Sequence, residues 1–182
     1  MKLTTKDMVT IALSTTILAV CAFITIPFYV PFTLQTFALF TIIGLFGLKR
    51  AFFSVCLYLL LGAVGLPVFS GFQGGLGTLF GVTGGYLFGF LPATFVCSLL
   101  LSFFKTCKKK ILVHCLSSVA GLSVCYVFGT LWYLLLYQNS TRSLSVTSVL
   151  SLCVIPFILP DFIKIILSAY VVKLLKKHMP KA

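Results

Sequence analysis

Acidic side chains are nearly missing from this chain: Asp7 and Asp161 are the only two among 182 residues, against 14 lysines and arginines. Charged residues of both signs make up 9% of the total, where a soluble domain carries about 25%. Water is a poor solvent for such a surface, and with 60% hydrophobic residues the composition specifies an integral membrane protein in a lipid bilayer. No polar linker is long enough to separate one folded unit from another, so residues 1–182 are read as a single domain. Catalytic groupings are also missing. There is no Ser/His/Asp set and no second membrane carboxylate to pair with Asp161, which argues against an enzyme. His114 and His178 adjoin basic stretches without a ligand at metal spacing and read as interfacial residues, so no metal is expected. The seven cysteines form no CxxC pair and read as small packed hydrophobes. The segments GGLG and GGYLFG lack the GK[ST] or GxGxxG context of a phosphate cradle.

What is present is a series of apolar runs. Met8 to Ile26 has the length of a membrane-crossing helix, with Lys2 and Lys6 before it. No small-x-small cleavage site follows, only Pro27, which argues against a removed leader. Pro27 and Pro31 bracket a turn, and Phe32 to Leu48 gives a second, shorter span. Thr33 either caps this span or, with Gln35 and Thr36, gives a pocket a polar lining. A basic turn at Lys49 and Arg50 leads to a third span, Ala51 to Leu66.

Pro67 to Phe90 is the glycine-rich centre of the chain. Ser70 to Gly77 reads as a loop. Gly77, Gly81, Gly85 and Gly89 recur every fourth residue, which predicts one close-packing face on a fourth span from about Gly81 to Phe104. Pro92 should kink that span. A fifth span covers Ile111 to Tyr137 and the loop QNSTRS follows. Leu144 to Phe157 is expected to form a short helix across the bundle. Pro160 to Lys176 is then the last crossing, with proline at its first turn.

The fold class predicted is therefore an all-α integral membrane protein with six transmembrane helices and both termini cytoplasmic. Charge supports this: all basic residues except Arg142 and Lys164 fall on the side of the termini, as positive-inside asymmetry requires. The same clustering makes nucleic acid a poor partner for the formal charge of +12. The glycine-rich loop, the Pro27–Pro31 turn, QNSTRS and the Pro160–Asp161 step then gather on the outer face, as loops over a binding pocket.

Asp161 and Lys164 are the one acid and one base set within a predicted crossing, and three residues apart they share a helix face. Intramembrane charges cost roughly 2.5–3.5 kcal/mol each on insertion scales and face a cavity or each other. The pair either pins the last helix to its neighbours or forms a ligand site, its carboxylate accepting N–H bonds and its ammonium attracting an acceptor. Tyr86, beside Gly85, combines a ring with a hydroxyl. Trp132 and Tyr133 are either pocket walls or lipid-interface anchors.

The series PFTLQTF, YLLLGAVGLPVF, GGLGTLFGVTGGYLFGF, YVFGTLW and LPDFIK resembles the biotin-specific S component of energy-coupling factor (ECF) transporters, the BioY family, over residues 32–170. Val82 stands where that family usually has proline. The resemblance implies a multi-pass subunit of the inner (cytoplasmic) membrane that captures biotin from the outer side. Its partners are a transmembrane coupling protein and a pair of ATPases. Biotin is the transported substrate, and no cofactor is implied. Asp161 and Lys164 match the acid and lysine of the family's last helix, which contribute to binding. The loop after the third span and the start of the fourth bring in Gln73, Gly74 and Tyr86, with Ser70–Gly77 as a flexible lid, and Gln35 joins them at the membrane edge. Lys164 or Arg142 would meet the biotin carboxylate. Ala12 and Thr16 occupy the small-residue positions by which S components meet the coupling protein, although Thr16 replaces the usual second alanine. The alternative reading is a self-sufficient carrier or facilitator for a small, largely neutral solute.

Overall fold

The computed structural model describes residues 3–26, 31–137 and 146–178. Helix α1, Thr5–Phe23, opens with a capping box: the Thr4 hydroxyl accepts from the Asp7 N–H, and the Asp7 carboxylate accepts from the Thr4 N–H. Its buried residues Ile11, Ser14, Thr15, Leu18, Ala19 and Ala22 fall at the three- and four-residue spacing of one helical face. Two short antiparallel strands, β1 (Thr25–Ile26) and β2 (Phe32–Thr33), pair beyond it. The Pro27–Pro31 turn lies mostly outside the described residues.

Helix α2, Gln35–Ala63, covers 29 residues but is not one rod. Gly47 has φ 74° and ψ −175°, a conformation essentially restricted to glycine. The chain folds back there, because Gln35 Nε2 reaches Tyr58 OH at 2.5 Å across 23 residues, which a continuous helix would hold about 34 Å apart. The bend thus comes before Lys49 and Arg50, not at them as the charge pair suggested. Both sit on the second arm, where Arg50 Nε meets Asp7 Oδ1 at 2.7 Å and Lys49 Nζ meets Oδ2 at 3.3 Å.

After α2, Ser70–Phe72 makes one 3-10 turn and α3, Leu76–Leu79, a single helical turn. Helix α4 begins only at Gly84 and runs to Phe103. The predicted glycine face is therefore half right. Gly77 lies in α3 with nothing near its Cβ position, and Gly81 precedes α4. Gly85 and Gly89 do pack against α5, Lys110–Tyr137. A Cβ on Gly85 would overlap Trp132 Cβ. Reciprocally, a Cβ on Gly129 would overlap the Tyr86 ring. The two helices lock by each offering a glycine to the other's ring.

The short helix α6, Val146–Cys153, precedes α7, Ile155–His178. Pro160 is thus inside α7, not at its first turn. Its missing N–H forgoes a bond to the Pro156 carbonyl, which lies close enough to the helix start for the loss to be local.

Among the described residues five helices, Thr5–Phe23, Gln35–Ala63, Gly84–Phe103, Lys110–Leu136 and Ile155–His178, are long and apolar enough to cross a membrane. The burial pattern fits lipid on the outside. Leu13, Ile17, Val20, Leu131, Leu135, Ile163 and Leu167 are exposed, whereas Ser54, Thr94, Ser118, Asp161, Lys164 and Ser168 are buried. Polar groups in such a bundle must find partners among themselves. Thr15 Oγ1 donates to Ser54 O at 3.1 Å, and His114 Nε2 lies 3.1 Å from Ser168 Oγ. His114 is therefore an interior residue, not an interfacial one: Gly44 leaves room for its ring, since a Cβ there would come within 2.6 Å of His114 Cε1. Tyr133 is likewise fully buried and Trp132 donates through Nε1 to Gly81 O at 3.2 Å, so both serve the interior.

Candidate functional site

The charged pair sits one turn and a half into α7, where the helix passes β2, the first arm of α2 and the middle of α5. Lys164 Nζ donates to Asp161 Oδ1 at 2.7 Å and to the Thr33 carbonyl at 2.6 Å. It also lies 3.8 Å from the centroid of the Phe32 ring, a cation–π contact that supplies a further partner for the ammonium. Asp161 Oδ1 accepts a second bond from Thr36 Oγ1 at 3.0 Å, and Oδ2 accepts from Tyr126 OH at 2.5 Å. With 3% and 4% of their surfaces exposed, the two charges survive burial because each is paired and hydrogen-bonded.

A second set of bonds continues from Thr33. Its hydroxyl donates to Gln35 Oε1 at 2.9 Å, Gln35 Nε2 donates to Tyr58 OH, and Tyr58 OH donates to Val68 O at 3.0 Å. The network thus joins α7, α5, both arms of α2 and the loop after them. Beside it, Ile26, Phe32, Pro156, Phe157 and Pro160 line an apolar cavity of about 280 Å³, just below the roughly 300–1,000 Å³ of small-molecule sites.

Tyr86 lies one layer away, packed against Tyr133, Val149 and Cys153. Its hydroxyl and that of Thr130 are buried without a partner at hydrogen-bonding geometry among the described residues. Thr130 stands one helical turn beyond Tyr126, so α5 directs both side chains to the same face. The Tyr86 hydroxyl lies beside that of Thr130 and the Cys153 thiol, a small polar cluster whose hydrogen-bonding capacity is not fully used.

The sequence-derived residues separate into groups. Asp161, Lys164 and Gln35 share one network. Tyr86 adjoins its far side across α5. Gln73 is exposed and engaged through its carbonyl with the Phe69 N–H at 3.0 Å. Gly74 is pressed onto the Leu66 carbonyl, which a Cβ at that position would overlap. The loop expected to be a flexible lid is tied down at several points: Gly75 N–H donates to Gly62 O at 2.6 Å, and Phe72 stacks on Phe23 with centroids 4.5 Å apart. Ala12 and Thr16 lie on an exposed face of α1, where Thr16 Oγ1 returns to Ala12 O at 3.0 Å. Arg142 and the rest of QNSTRS are outside the described residues. Tyr126, Tyr58 and Thr130 were not singled out from sequence, since a tyrosine or threonine in an apolar helix carries no local mark of what it faces.

No group of three or more potential metal ligands occurs among the described residues. The sequence profile of the BioY family matches residues 1–181. The chain belongs to the BioY family. A biotin transporter BioY of Thermotoga maritima is 38% identical over 173 residues, covering 94% of this chain and 96% of its own. BioY2 of Lactococcus lactis, also named a biotin transporter, is 38% identical over 159 residues, 86% of this chain and 82% of its own. A probable biotin transporter BioY of Pyrococcus horikoshii is 37% identical over 135 residues, 74% of each chain. The fold is similar to the crystal structure of the S component for biotin from an ECF-type ABC transporter, with a TM-score of 0.83, 28% identity, and 97% and 95% of the two chains covered. BioY proteins are transporter subunits, not enzymes, and the apolar helices of this member suit a membrane transporter.

Proposed function

We propose that this chain is the biotin-binding membrane subunit, the S component, of an ECF-type uptake transporter. The observation that carries the reading is the buried Asp161–Lys164 pair with its hydroxyl donors Thr36 and Tyr126, in a chain whose relatives are named biotin transporters. Six crossings are formed by α1, the two arms of α2, α4, α5 and α7. Both termini and the lysine clusters lie on the cytoplasmic side of the cell membrane, and the site opens outward.

Biotin's ureido ring offers two N–H donors and one carbonyl. Asp161 accepts two bonds at Oδ1 and one at Oδ2, and a ureido N–H takes the place of the Thr36 or Tyr126 hydroxyl. The displaced hydroxyl is then free to donate to the ureido carbonyl. This is an exchange of like bonds, which keeps the cost of opening the pair low. Tyr86, Gln35, Gln73 and Gly74 complete the lining, and the apolar cavity beside Phe32 suits the thioether ring and valeryl chain. Lys164 or Arg142 meets the carboxylate. Ala12 and Thr16 face the transmembrane coupling protein, which a pair of ATPases drives.

Isothermal titration calorimetry of the purified chain in detergent tests the reading. Saturable biotin binding is expected, weakened at least about tenfold in Asp161→Asn, which loses the charge-assisted acceptor. A chain that is folded by circular dichroism yet takes up no biotin would overturn it.

A further inference from the structure

A second cavity, of about 610 Å³, lies at the opposite end of the bundle from Asp161 and Lys164. Among its lining residues are Ser98 on α4, Lys105 just beyond it, Lys110 and His114 at the start of α5, and Lys176 near the end of α7. Lys176 is twelve residues past Lys164, about 18 Å farther along α7. Three lysines from three places in the chain thus converge on one opening.

Two further observations make this more than a solvated basic rim. Both acidic side chains of the protein are spent elsewhere, Asp7 on Lys49 and Arg50 and Asp161 on Lys164, so no carboxylate side chain neutralises the opening. Ser98, 6% exposed, lines the cavity, and its hydroxyl is buried with no hydrogen-bond partner among the described residues. The inner walls are apolar, from Ile43, Leu99 and Val113 among others. The volume is that of a small-molecule site. Three cations lining the opening, an unpartnered serine hydroxyl behind its wall and apolar walls match one chemistry: a phosphate diester on a hydrocarbon tail.

We propose that this cavity binds the headgroup of an anionic phospholipid. Its position suits that partner, because α4 ends and α5 begins there, and the ends of helices that cross a bilayer meet its headgroups. Basic pockets between transmembrane helices recognise anionic headgroups by the same means. The proposal is independent of the biotin reading, since it uses none of the residues of that site.

The test uses the full chain purified in a neutral detergent. Short-chain phosphatidylglycerol, phosphatidylcholine of the same chain length and inorganic phosphate are titrated separately, read by native mass spectrometry and by the melting temperature. One retained phosphatidylglycerol and a raised melting temperature are expected, with no retention of phosphatidylcholine. Each lysine near an anionic headgroup is worth about a fivefold factor, so the triple variant Lys105→Gln, Lys110→Gln, Lys176→Gln should lose on the order of a hundredfold in affinity. Ser98→Ala should lose a smaller factor. The control Lys173→Gln, Lys177→Gln alters lysines of α7 outside the cavity and should keep binding. A circular dichroism spectrum and a lipid-free melting transition like those of the parent show that the triple variant is folded. Equal binding of phosphatidylcholine, equal loss in the control, or full reproduction of the stabilisation by inorganic phosphate would each overturn the proposal.

Discussion

Replacing Tyr126 by phenylalanine isolates one bond of the charged network. The ring stays and only the hydroxyl that donates to Asp161 Oδ2 is lost. A hydrogen bond to a charged group contributes about 1.5–3 kcal/mol, and the acceptor here is buried, so the upper half of that range is expected. The three donors to Asp161 are not equivalent. Oδ1 has both Lys164 and Thr36, at 2.7 and 3.0 Å, whereas Oδ2 has Tyr126 as its one donor among the described residues. Thr36→Val therefore leaves Oδ1 still bonded and should cost about 0.5–1.5 kcal/mol, the net worth of an ordinary bond. Asp161→Asn removes the counter-charge of a buried ammonium and should cost the most, about 3–5 kcal/mol. The order Asp161→Asn, then Tyr126→Phe, then Thr36→Val can be read from unfolding of the ligand-free protein in detergent, by denaturant midpoints at a common slope. A Thr36→Val variant as unstable as Tyr126→Phe, or a Tyr126→Phe variant within about 0.5 kcal/mol of the parent, the range of ordinary surface changes, would refute the assignment of Oδ2 to Tyr126.

Two more substitutions test the frame that holds the site. Gly47→Ala forces a side chain into a glycine-only conformation with open space around it, so it should cost about 1–3 kcal/mol from backbone strain alone, measured as a fall in the denaturant midpoint. Gly85→Ala places a methyl against Trp132 and should cost about 1–3 kcal/mol from overpacking, while Gly77→Ala, with nothing near it, should leave the melting temperature within a degree or two of the parent.

Much of the helical architecture is legible in the residues because apolar length acts over whole segments, and no single contact decides it. The Asp161–Lys164 pair was legible for a related reason: ionised groups are so costly inside a bilayer that their mere presence at helical spacing marks a structure. The bend in α2 was legible only approximately, because Lys49 and Arg50 signal an aqueous boundary whereas the backbone reverses at Gly47, the one residue there able to adopt the required φ and ψ. The fourfold glycine spacing misled over half its length. Periodicity counts residues as though the helix were continuous, and the single turn of α3 with the break before Gly84 removes Gly77 and Gly81 from the face. Asp7 gave no warning of its role, since its partners lie 42 and 43 residues away. Tyr126 was hidden because a hydroxyl on an aromatic ring reads as wall until its neighbour is known.

The bonds that run from the Thr33 hydroxyl to Val68 have a direction. A backbone carbonyl can only accept, and that of Val68 closes the row, while the Thr33 hydroxyl opens it beside the carbonyl that Lys164 occupies. Between them Thr33 donates to Gln35, Gln35 to Tyr58 and Tyr58 to Val68, so each dipole is aligned head to tail with the next. Aligned bonds polarise one another and strengthen the row as a unit. The amide of Gln35 therefore has one permitted orientation, because turning it over would set its oxygen against a hydroxyl already committed to Val68 and its nitrogen against the Thr33 hydroxyl proton. The Val68 carbonyl, on the loop after α2, in this way sets the sense of a proton row that begins at the hydroxyl of Thr33, the residue whose own carbonyl receives the Lys164 ammonium.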